Sequence, residues 1–130
     1  MTAPRPEPVA IAGPAGSLQL VVEEPGVIGD PGHPGRAPAF MVVCHPHPLH
    51  GGTMDNKVVT TLARCAHELQ VPSIRFNYRG VGASAGSFDE GRGETLDALA
   101  VMEYGRQRWP DALAMPCPHL TGRPQAGAAQ

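Results

Sequence analysis

The chain lacks charge of one sign: 10 Lys and Arg against 12 Asp and Glu leave a formal net charge of -2. No run of Lys or Arg could track a phosphate backbone, which removes the electrostatic footprint of a nucleic-acid binder. Long hydrophobic runs are missing as well. Nothing approaches the roughly 18 apolar residues needed to span a bilayer, and the opening MTAPRPEPVA has no apolar centre of the kind a secretory signal needs. The expectation is a cytoplasmic protein that partners neither membrane nor nucleic acid. Cysteine is scarce: Cys44, Cys65 and Cys117 are odd in number and at no metal-ligand spacing. They read as reduced thiols rather than a disulfide framework, and no metal or other cofactor is expected. Proline is nearly absent from the middle. Ten of the 15 lie at or before Pro48 and four at or after Pro110, leaving Pro72 alone between them, so regular structure belongs there.

What is present is one domain's worth of chain, 130 residues with 42% apolar and 17% charged. Val9 to Ala12 and Leu18 to Glu23 read as strands, and GPAG between them as the turn of a hairpin. After the Pro/Gly stretch from Glu24 to Pro38, the continuous apolar run PAFMVVCHP marks a strand over Ala39 to Cys44, buried on both faces. Asp55 or Asn56 then caps a helix carrying Val58, Val59, Leu62, Ala66 and Leu69 at helical spacing and ending near Gln70. In SIRFNYRG, Ile74, Phe76 and Tyr78 alternate against Arg75 and Asn77, a second strand. A helical pattern resumes near Glu94 with Leu96, Leu99, Ala100, Met102 or Glu103, and Tyr104, and runs to Trp109. Strand, helix, strand, helix in this order implies an α/β fold with parallel crossovers.

The stretch GVGASAG contains a complete G-x-S-x-G, Gly82 to Gly86, with Ser84 in the nucleophile's place. A nucleophile elbow needs a helix starting immediately after the serine. Ser84 is instead followed by about ten loop residues before the next helical pattern. The same gap weakens a dinucleotide reading of Gly80, Gly82 and Ala85, because no adjacent helix amino terminus would receive the pyrophosphate. A tight glycine-permitted turn leaving a strand is the favoured reading. For Arg79, Asp89 and Glu94 the expectation is ion pairs that hold the loop. His45, His47 and His50 cluster, but alternate residues of an extended chain point to opposite sides, and their spacing matches no common zinc pattern. Imidazoles turned inward to hydrogen-bond the loop are favoured over a metal site.

Taken together, VVCHPHPLHGGTMDNKVV and RFNYRGVGASAGSFDEGRGE resemble the α/β-hydrolase superfamily, near its small bacterial dienelactone hydrolase and serine aminopeptidase branches. The resemblance covers about residues 8–111. It implies a parallel-sheet, partial α/β-hydrolase fold with an amino-terminal hairpin. The implied chemistry is acyl transfer through a serine, on an ester, thioester or amide of a small-molecule substrate. In that family the segment after the third strand supplies one backbone amide of the oxyanion hole. Matching His45-Pro46 to the family's His-Gly places this donor at His47. The same loop makes His45, His50, Gly51 and Gly52 candidate binding residues. Pro46 and Pro48 have no amide to give, which leaves the amides of His47, Leu49, His50, Gly51 and Gly52 as possible donors.

The resemblance implies a further apolar strand, then the true elbow, the acid and the histidine. The sequence after Trp109 reads RWPDALAMPCPHLTGRPQAGAAQ. Pro116 and Pro118 would remove ladder donors from a central strand. The expected organisation is therefore a disordered start over 1–7, hydrolase-like chain over 8–111, and an irregular, truncated or frameshifted tail over 112–130. On this reading the chain alone lacks the nucleophile elbow and is inactive, and its exposed sheet edge invites self-association. The alternative is a noncatalytic remnant that binds a small molecule or partner through HPHPLHGG.

Overall fold

The computed structural model describes residues 6–26, 37–45 and 52–117. Two strands, β1 (Glu7–Gly13) and β2 (Gly16–Glu23), are followed by β3 (Ala39–Val43), α1 (Lys57–Glu68), β4 (Ser73–Phe76), α2 (Arg92–Arg108) and β5 (Leu113–Cys117). They form one five-stranded sheet in the order β1-β2-β4-β3-β5. The hairpin forms as its turn residues dictate: Gly13 faces Gly16 across Pro14 and Ala15, and β1 runs antiparallel to β2. β2 continues antiparallel onto β4, while β3 runs parallel to both β4 and β5. The sheet is thus mixed, with a parallel core and an antiparallel hairpin at one side. The adjacent parallel pair β3 and β4, joined through α1, is the arrangement the sequence implies.

Alternation sorts the strand residues by face. Leu18, Leu20, Val22, Phe40, Val42, Ile74 and Phe76 form one apolar layer with Val101 of α2 and with Trp109. Phe40 is fully buried and its ring lies 5.4 Å from that of Trp109. A side chain at Gly105 would run into the Phe40 ring, so glycine there lets α2 settle close to the sheet. Burying a ring of this size contributes about 3 kcal/mol. α1 packs on β3 and β4 through Val59, Ala63 and Ala66.

In each helix only part of the stripe that apolar spacing indicated turns inward: Val59 and Ala66 of α1 are buried, and Ala100, Met102 and Tyr104 of α2 pack against the core. Val58 and Leu69 of the expected α1 stripe are 48% and 70% exposed, and Leu96 and Leu99 of α2 are half-exposed. α2 instead buries Gly93, Glu94, Asp97, Val101 and Gly105, a stripe that includes two carboxylates and two glycines. Hydrophobicity cannot reveal such a face.

The expectation of irregular chain from residue 112 is corrected at β5, whose Leu113 to Cys117 pair in register with Ala39 to Val43. Hydrogen bonds explain how Pro116 is accommodated. The Leu113 amide donates to the Pro38 carbonyl and the Cys44 amide to the Cys117 carbonyl. By alternation residues 113, 115 and 117 bond towards β3, and 114 and 116 point outward. Pro116 therefore removes no donor from the ladder, as proline on an edge strand should. Residues 118–130 lie outside the described part. Among the described residues, no helix is long and apolar enough to cross a membrane.

Candidate functional site

Because β3 and β4 are parallel, the chain leaving each emerges at the same end of the sheet, the end at which open α/β sheets bind ligands. After β3 come Cys44 and His45, then the segment carrying His47, His50 and Gly51, which lies outside the described residues. The chain resumes at buried Gly52 and reaches α1 through Thr53, Met54 and Asp55. Asn56 caps α1, its Oδ1 accepting the Val58 amide at 2.9 Å, one of the two caps the sequence offered.

Residues just past β4 hold both ends of this β3–α1 connection. The Tyr78 amide donates to His45 Nε2 at 3.1 Å, so that nitrogen presents its lone pair. His45 is 1% exposed and its ring meets Tyr78 edge-on at 4.7 Å. The inward imidazole is thus present at His45, which faces the interior rather than an open binding surface. At the far end Asn77 Oδ1 accepts the buried Met54 amide at 2.8 Å. Arg75 Nη1 donates to the Met54 carbonyl at 3.2 Å and to Asp55 Oδ1 at 2.9 Å. Burial pushes the Cys44 thiol above its usual range, partly offset by its hydrogen bond with Tyr78. Burial likewise raises the Tyr78 phenol, helped by Cys44 and the nearby carboxylates. Both groups stay protonated at neutral pH, which removes them as ready nucleophiles.

Ser84 is a brace. Its hydroxyl donates to the Asn77 carbonyl at 2.7 Å and accepts the Gln19 amide at 2.9 Å, and the residue is 7% exposed. The turn around it is closed by backbone bonds from Ser84 to Val81 and from Gly80 to Ala85, with Gly80, Gly82 and Gly86 at positive φ. No helix follows until Arg92. Among the described residues no serine stands at a strand-to-helix elbow.

The expected ion pairs need correction in partner. Arg79 pairs with Asp97, not with Asp89 or Glu94: Nε and Nη2 reach the two carboxylate oxygens at 3.1 and 2.9 Å, and the Arg79 amide adds a third bond at 3.0 Å. Asp97 is fully buried. Its hydrogen bonds hold the Arg79 guanidinium above its already high range, with the fields of Glu94 and Asp89 adding to the effect. Glu94 instead takes the amides of Asp89 and Gly91, each at 2.8 Å, which closes the amino terminus of α2. Asp97 and Gln19 escaped the sequence reading because one sits among helical residues and the other in a strand. The only available hint was a charged residue inside an otherwise helix-facing pattern.

Among the described residues no cluster of three or more His, Cys, Asp and Glu could hold a metal. A recess of about 430 Å³ is lined by Pro6, Glu7, Val22, Glu24 and Pro25. It lies at the opposite end of the sheet, since β2 is antiparallel to β4.

No protein-family model matches the chain. Solved structures do. An alpha-beta serine hydrolase homologue from Coxiella burnetii is 41% identical with a TM-score of 0.77, over 86% of this chain and 50% of that one. A lid-less a/b serine hydrolase from Xanthomonas campestris is 38% identical with a TM-score of 0.76, over 91% and 52%. Among curated proteins, an uncharacterized protein of Rickettsia prowazekii is 44% identical over 77 residues, 59% of this chain and 32% of its own length. The chain spans about half the length of these solved structures and a third of that curated relative.

Proposed function

We propose that this chain, whose fold matches about half the length of α/β serine hydrolase structures, carries the oxyanion loop of a serine hydrolase that cleaves an ester, thioester or amide of a small molecule by acyl transfer. The observation that carries this is the pinning of the β3–α1 connection at His45 and Met54 by consecutive residues of the β4 exit, Tyr78 and Asn77. A loop fixed at both ends, at the carboxyl end of a parallel pair, can aim backbone N–H groups at a developing oxyanion. The His47 amide is the proposed donor, with His45, His50, Gly51 and Gly52 shaping the surrounding loop. In the acyl-transfer step the oxyanion forms as the nucleophile's oxygen adds to the carbonyl carbon. The donor stabilises that charge by roughly 2.7 to 4 kcal/mol in a complete site.

The locked hydroxyl of Ser84 supports a second reading for these 130 residues by themselves, a noncatalytic module that binds a small molecule or partner through the same loop. Fluorophosphonate labelling separates Ser84 from the role of nucleophile: the 130-residue chain should remain unlabelled and turn over no p-nitrophenyl ester, and a stoichiometric adduct on Ser84 would overturn this. The loop's role is tested in a chimera carrying residues 8–117 in place of the matching half of the Xanthomonas campestris hydrolase. His47→Pro, which deletes the amide, should lower kcat on p-nitrophenyl esters by roughly 100-fold or more. His47→Ala should cost far less. Equal losses at matched unfolding midpoints would refute the backbone role.

A further inference from the structure

Two carboxamides connect the turn after β4 to the approach to α1. Gln19 Oε1 accepts two donors, the Ala83 amide and Asn77 Nδ2, each at 2.8 Å. Asn77 Oδ1 in turn accepts the Met54 amide at 2.8 Å. A carboxamide is planar, with its oxygen and its NH2 on opposite sides. Once Gln19 presents its oxygen to Asn77, the Asn77 oxygen must face Met54. The flipped amide would set oxygen against oxygen at Gln19 and N–H against N–H at Met54. Both residues are themselves anchored, since the Asn77 amide donates to the Gln19 carbonyl at 3.0 Å and Ser84 Oγ bridges the Gln19 amide and the Asn77 carbonyl. Gly82 leaves the room they need. A Cβ there would stand 2.5 Å from Asn77 Nδ2 and 2.7 Å from Gln19 Oε1, at a φ of 55°.

We propose that Gln19 and Asn77 are positioning residues, a polarised relay by which the 80–86 turn sets the direction of the Met54 amide and so the described end of the β3–α1 connection at Gly52 to Met54. The functional meaning of the relay rests on the oxyanion-loop reading above. The relay itself is measured without turnover, so the two can fail separately.

The test is amide exchange followed by NMR on the full 130-residue chain, with the core amide of Ile74 as the reference for global opening. In Gln19→Ala, Met54 keeps its own acceptor on Asn77, yet its exchange should speed roughly tenfold relative to Ile74 because Asn77 loses the partner that orients it. Gln19→Glu keeps an oxygen for both donors and should hold Met54 near the wild-type rate. Asn77→Asp calls for the Gln19 NH2, which takes the Gln19 oxygen from Ala83. There the Ala83 amide should speed roughly tenfold while Met54 keeps a carboxylate acceptor. The Ala83 readout stands even if Gln19→Ala does not fold. Unchanged Met54 protection in a folded Gln19→Ala, equal losses in Gln19→Glu and Gln19→Ala, or an unmoved Ala83 in Asn77→Asp overturns the relay.

Discussion

Ser84 shows how far residue identity can mislead and how geometry decides. Its G-x-S-x-G setting is that of a nucleophile, but its oxygen already serves one backbone donor and one backbone acceptor. Ser84→Ala leaves the Gln19 amide and the Asn77 carbonyl without that partner, and should lower unfolding stability by about 1 to 3 kcal/mol in a urea titration. A loss-free alanine variant would place the hydroxyl outside the turn's support. The thiols divide in the same local way. Cys65 is exposed, whereas Cys44 is buried with its pKa raised by that burial. Iodoacetamide at neutral pH should modify Cys65 first and reach Cys44 only as the protein unfolds, which peptide mass mapping would read. The sequence could exclude the elbow because helix periodicity returns too late after Ser84. It could not give the hydroxyl's partners, since Gln19 is 65 residues away.

At the level of elements, legibility followed the source of each element's stability. β1, β2, β3, α1 and β4 were readable because turn glycines, an Asn cap and two-residue alternation are local. The inner face of α2 was not, because it is organised by Asp97 reaching Arg79 of the preceding turn and by glycine contact with Phe40. Asp97→Asn leaves the Arg79 guanidinium, 11% exposed, without its counter-charge. It should cost about 3 to 5 kcal/mol, the range for breaking a buried pair from one side. A thermal midpoint equal to wild type would demote the pair to a surface contact. β5 was hidden by a rule correctly stated but applied to the wrong place: proline is excluded from a paired direction, and Pro116 points to the unpaired one. Of the site, sequence alone supplied only the parallel crossover, from which the exits of β3 and β4 at one end of the sheet follow, while the bonds from Asn77 and Tyr78 that tie them needed coordinates.

For the whole molecule, the β5 edge of the described sheet is the place where self-association is to be tested. It presents the Ala114 amide but no donor at Pro116, and strands lacking donors make poor templates for another strand. We propose that pairing between copies at this edge is weak for that reason. Pro116→Val should then shift sedimentation velocity profiles towards dimers or larger species at equal concentration; unchanged profiles would count against this edge as the contact. At the other side of the sheet, Arg108 joins Glu7 at 2.8 Å across 101 residues of sequence, also meets Glu24 at 3.3 Å, and sits beside the Trp109–Glu24 bond. The spatial order β1-β2-β4-β3-β5 gives this brace a meaning in time. On a ribosome the hairpin emerges before the other described strands, but the neighbour of β2 is β4, about fifty residues later, so at ~5–20 residues per second the inner edge of β2 waits roughly 3 to 10 s for its partner. Arg108 comes later still, so the earliest described strand meets its cation only after α2 has been translated.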